Sequence, residues 1–132
     1  MDTYRKRHPL STKYYKLVGS AGLNGSLNDM IGYVQYIMNH PEYFELFKPQ
    51  IKTRSMLWML DNNDVKSADY GYGWRLLNYR GVDVVWHPGF LKGMKPATII
   101  IPEYDVALIV MNHSNKAIWK EIMFKFIDNQ FF

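Results

Sequence analysis

Apolar residues first recur at helical spacing in the order Leu27, Met30, Ile31, Val34, Ile37 and Met38. Such a stripe predicts an amphipathic helix. Ser26, three residues before Asp29, supplies a capping-box start, and Asn39, His40 and Pro41 end the run. Pro41 then opens a short second helix, PEYFELF. A third is expected over residues 52–60, KTRSMLWML, stopped by the polar run Asp61 to Asp64. From Tyr70 onward the period shortens. Residues 70–80, 82–89, 95–101 and 106–113 read as strands, joined by turns near Arg80-Gly81 and over Glu103 to Asp105. Connections this short make the sheet antiparallel. Ile118, Trp119, Ile122, Met123, Phe126 and Ile127 form a last apolar stripe, with Lys116, Lys120, Glu121 and Lys125 mostly off it. That predicts a closing helix over 115–130, capped by Ser114 or Asn115. The order implies an α+β fold: an antiparallel sheet of about four strands, a late meander, with N-terminal helices and a C-terminal helix packed on it.

Composition narrows the picture. The 132 residues suggest a single domain: 1–19 irregular and polar, 20–60 helical, 70–113 strands, then the closing helix. At 48% hydrophobic and 16% aromatic the chain can bury a core. It has no cysteine, which excludes disulfides, thiolate chemistry and cysteine–zinc sites. His8, His40, His87 and His113 show no metal-binding spacing, so no metal or cofactor is expected. The net charge of +4 is scattered except at Tyr4 to His8, which reads as a solvated terminus more readily than as a nucleic-acid site. There is no run of membrane-spanning length and no signal-peptide pattern at the start, so the compartment stays open.

One stretch breaks its own pattern. VVWHPGFLKGM, Val84 to Met94, begins as a strand and then places Pro88 and Gly89 inside it. Proline in a strand belongs at an edge or bulge, and glycine there often marks a close backbone approach. His87 is either an ordinary strand histidine beside a bend or part of a rim that faces a ligand.

Three segments, in order, resemble the C-terminal part of the class C β-lactamase and penicillin-binding-protein-like serine hydrolases. They are SAGLNGSLNDMIGYVQYIM (20–38), YGYGW (70–74) and WHPGFLKGMKPATIIIPEYDVALIVMNHSN (86–115). The resemblance implies attack by a serine on an amide or ester carbonyl, as in β-lactamases, D,D-peptidases, D-aminopeptidases and esterases. It places His87-Pro88-Gly89 at the family's third motif, Lys-Thr-Gly or His-x-Gly. His87 would then supply hydrogen bonding or positive charge, and Gly89 would let substrate lie along the strand. The Phe90 N–H would donate to the oxyanion, with Pro88 and Gly93 beside the substrate. Pro88 lacks the hydroxyl that β-lactamases carry there, which shifts the expectation toward peptidase-like or esterase-like chemistry.

The same resemblance implies a Ser-x-x-Lys nucleophile and a Tyr-x-Asn motif. None of Ser11, Ser20, Ser26, Ser55, Ser67 and Ser114 has lysine three residues on, and no tyrosine has asparagine two residues on. The expectation is therefore a C-terminal fragment, inactive alone, that needs a missing N-terminal lobe or associates with itself. A periplasmic or extracellular setting is implied only if the resemblance holds for a complete precursor. The rival reading is a non-enzymatic module, or a remnant, that binds a partner through an exposed sheet edge or the basic N-terminus.

Overall fold

The computed structural model describes residues 24–53, 57, 60–90 and 93–132. The expectations for 1–19, and most of those for 52–60, lie outside the described residues. Helix α1 spans Leu27–Met38. Its capping box forms as the sequence predicts: Ser26 Oγ accepts from the Asp29 N–H at 3.2 Å, and Asp29 Oδ2 accepts from the Ser26 N–H at 2.7 Å. The bonds that the Ser26 N–H and then the Ser26 hydroxyl donate to Asp29 Oδ2 hold that carboxyl below its ordinary pKa. PEYFELF, Pro41–Phe47, winds as a 3-10 helix.

Six strands follow in a single antiparallel sheet, in chain order: β1 Ile51–Lys52, β2 Val65–Tyr70, β3 Arg75–Tyr79, β4 Val82–Pro88, β5 Ala97–Ile101 and β6 Val106–Val110. The sheet is α+β and antiparallel as expected, but two strands longer than the four-strand reading. β1 starts where a helix was expected. β2 carries polar residues and a register shift between Val65 and Ser67, which blurs its alternation. The first expected strand also begins later, because Gly71 to Trp74 form a turn ahead of Arg75.

Helix α2 is Trp119–Phe131 and starts later than its apolar stripe suggested. Ser114 and Asn115 do not cap it. Ser114 Oγ accepts from the Lys116 N–H, and Asn115 Oδ1 accepts from the Gly93 N–H, so both side chains serve the preceding loop.

Strand alternation sorts the core into two layers. Val82, Val84 and Trp86 of β4 pack with Ile99 and Ile101 under Trp119, Met123 and Ile127 of α2. Val85 and Ile100 face the other way, under Val34 and Ile37 of α1. The two helices therefore cover opposite faces. At the far end of the sheet, the Tyr79 hydroxyl donates to Asp128 Oδ1 at 3.0 Å, and Arg80 pairs with the same carboxylate at 2.9 Å. Burial, then the bond to Asp128, raises the Tyr79 pKa. Arg80 also lies over the Phe132 ring at 4.2 Å, so the β3–β4 turn and the end of α2 are fastened together.

Candidate active-site rim

The end of β4 shows why a proline and a glycine are tolerated there. Trp86 is opposite Arg75, the first residue of β3, whereas Pro88 is opposite Ala97 of β5. The Gly89 N–H donates to the Pro96 carbonyl at 2.8 Å, so odd-numbered residues here bond toward β5 and even-numbered ones toward β3. The missing N–H of Pro88 thus falls on the side where β3 has not yet begun, and no ladder bond is lost. Gly89 has a specific reason to lack a side chain: a Cβ there would lie 2.6 Å from Pro96 Cγ. The close approach inferred from the sequence is present, and the protein's own Pro96 makes it.

His87 projects from the α1 face, on the same side as Val85, and is paired with the buried Thr98. Its ring meets Trp74 edge-on at 6.4 Å, and Trp74 meets Phe47 edge-on at 5.6 Å. The 3-10 helix, the β2–β3 turn and the end of β4 converge there. Partial burial, reinforced by the Arg75 charge, pulls the His87 pKa below 6.5, against a smaller opposite push from the Pro88 backbone. The imidazole is therefore held toward its neutral form, which can accept or donate a hydrogen bond. NMR titration should give His87 a midpoint below 6.5, and Arg75→Gln should raise it. The unfolded chain binds this proton more readily than the folded one. Acidification below 6.5 therefore removes stability until the pH passes the depressed folded value. A midpoint above 6.5, or one that Arg75→Gln lowers, would refute this reading.

The remaining expected site residues separate. Phe90 is 77% exposed, its ring 5.2 Å from the Lys95 ammonium. Gly93 is buried with φ +83°, and its N–H is committed to Asn115 at 2.8 Å. The structure thus keeps His87, Pro88, Gly89 and Phe90 contiguous and ties Gly93 into the loop leading toward α2. Sequence reasoning did not single out Trp74, Arg75 or Thr98 beside His87. Only strand register brings them there; the nearest sequence signal was Trp74 closing YGYGW. Among the described residues no cluster of His, Cys, Asp or Glu could hold a metal ion.

The Beta-lactamase family profile matches residues 1–122. The chain belongs to the β-lactamase family. A D-aminopeptidase of Gluconobacter oxydans (strain 621H) is 29% identical over 100 residues, covering 75% of this chain. Those residues are 18% of that protein, so the chain spans less than a fifth of this relative. No solved structure matches.

Proposed function

We propose that the chain is the C-terminal portion of a β-lactamase-related serine hydrolase, that it builds one wall of the acyl-transfer site, and that it does not carry the nucleophile. The observation that carries this reading is the end of β4, where His87-Pro88-Gly89 runs past the start of β3. Alternation carried one residue beyond Gly89 turns the Phe90 N–H away from β5, toward the space that β3 leaves open. A donor aimed there at a developing oxyanion contributes about 3 kcal/mol to transition-state stabilisation. A neutral His87 fits a hydrogen-bonding role in the proton network of the serine, in place of the positive charge that a lysine would bring. Pro88 offers no hydroxyl to a substrate carboxylate. That, with the D-aminopeptidase match, favours a peptide amide over a lactam as substrate.

Because no serine of the chain is followed by lysine at the required spacing, a fluorescent penicillin or a serine-reactive phosphonate should leave the 132-residue chain unlabelled. Labelling should appear when a polypeptide carrying Ser-x-x-Lys and Tyr-x-Asn is co-expressed with it. Stoichiometric covalent labelling of the chain alone would overturn the proposal.

A further inference from the structure

β5 is buried along its whole length, and four of its five residues are aliphatic: Ala97, Ile99, Ile100 and Ile101, each 3% exposed or less. Thr98 stands among them at 8% exposed. Aromatics apart, it is the one buried side chain among the described residues that carries a polar group. Strand propensity does not account for it. The three isoleucines that follow are equally β-branched, and valine would fill the same space with no hydroxyl to desolvate. The hydroxyl has no hydrogen-bond partner among the described residues, yet its oxygen is not fully enclosed. Buried polar groups are retained where they meet a partner.

Strand register identifies that partner. Alternation puts Thr98 on the α1 face with Ile100, and its neighbours across the two flanking strands are His87 of β4 and Ile109 of β6. His87 and Thr98 form a hydrogen-bonded couple, because the Gly89 N–H bonds to Pro96 and the phase repeats every second residue. Their Cβ atoms are then about 5 Å apart. One step of χ1 turns the Thr98 hydroxyl toward the ring. Ile109 offers nothing polar, so in this row the imidazole is the group that the hydroxyl can serve. Trp74 meets the same ring edge-on at 6.4 Å from the β3 side. We propose that Thr98 is a positioning residue for His87: its hydroxyl bonds one ring nitrogen and so fixes which of the two carries the proton. This rests on the reading of the β4 end as one wall of an acyl-transfer site. A neutral imidazole has one donor and one acceptor nitrogen, and exchange between its two forms reverses what it presents. A hydroxyl behind the ring, on β5, removes that ambiguity. The nitrogen turned away from β5 is left with a single role toward the proton network of the serine.

Long-range proton–nitrogen correlation spectra of the 132-residue chain read the tautomer directly, and His87→Gln identifies the His87 ring among the four histidines. At a pH well above 6.5 the native ring should show one protonated and one unprotonated nitrogen, with widely separated shifts. Thr98→Val should draw the two nitrogen shifts together as the tautomers exchange, while circular dichroism and the Trp74 indole signal stay native. Thr98→Ser should restore the native separation. Serine returns the hydroxyl without the methyl group, so a residue that served packing alone would fail that arm. If the valine variant does not fold, Thr98→Ser against Thr98→Ala makes the same comparison. Identical nitrogen shifts with and without the hydroxyl, or a native ring already averaged between tautomers, would overturn the proposal. Either result leaves the hydrolase reading standing, because that reading falls on a different observation, covalent labelling of the chain alone.

Discussion

Trp86→Ala should cost about 3–5 kcal/mol of folding stability, the range for deleting a large buried aromatic. Trp86 is 1% exposed and sits where β4, β5 and α2 meet. Its ring meets Trp119 at a tilt of 34° with centroids 4.9 Å apart, and the Arg75 guanidinium lies 5.8 Å from it. Alanine would empty that space under the first turn of α2, and a cavity there cannot collapse without moving the helix. Domains of this size have total stabilities of about 5–15 kcal/mol, so the variant should be marginal or unfolded in urea titration. Trp86→Phe is the informative control. It keeps most of the apolar area and removes an indole N–H that is buried with no hydrogen-bond partner among the described residues. Phenylalanine should therefore recover most of the loss. Equal denaturation midpoints for the alanine variant and the native chain would contradict the two-layer core.

Gly71→Ala should cost about 1–3 kcal/mol through overpacking against backbone that has no rotamer to yield. A Cβ at Gly71 would lie 2.4 Å from the Leu46 carbonyl oxygen and 3.0 Å from that of Lys48. The same carbonyl of Leu46 accepts from the Tyr72 N–H at 3.0 Å, and the Gly71 N–H donates to Trp74 at 2.7 Å. One methyl group thus presses on the seam between the 3-10 helix and the β2–β3 turn. Hydrogen exchange locates the damage. The Tyr72 amide should lose protection, while β5, whose residues are all buried, should keep it. Because Phe47 and Trp74 form one wall beside His87, the His87 ring signals should shift in the same variant. Unchanged Tyr72 protection would show that the seam is looser than its geometry implies.

What the sequence disclosed and what it hid follow one physical rule. Elements that carry their own periodicity or capping chemistry were legible: α1 with Ser26 and Asp29, and β4 to β6 with their β-branched runs. Elements defined by neighbours were not. β1 is two residues long and has no period to read. β2, VKSADY, mixes polar residues with a register shift, and it is a strand because β3 pairs with it. α2 shows its stripe plainly, but Ser114 and Asn115 look like caps until Gly93 and Lys116 claim them. The candidate site divides in the same way. The disturbance at Pro88 and Gly89 was visible in the chain, whereas its causes were not: β3 beginning opposite Trp86, and Pro96 filling the space beside Gly89. That His87 is held toward its neutral form depends on burial and on Arg75, twelve residues away in sequence, and no local motif encodes that.

The strand order has a consequence for how the molecule forms. Every one of the five pairings joins strands that are neighbours in the chain, so each can close as a hairpin before the next is made. Loop-closure entropy is then met in small steps, and topologies rich in local contacts fold fast for their size. The long-range events left over are the dockings of the two helices: α1 onto Val85 and Ile100, and α2, whose Asp128 must find Tyr79 and Arg80. The kinetics should accordingly show rapid sheet assembly followed by slower docking of the helices on its two faces.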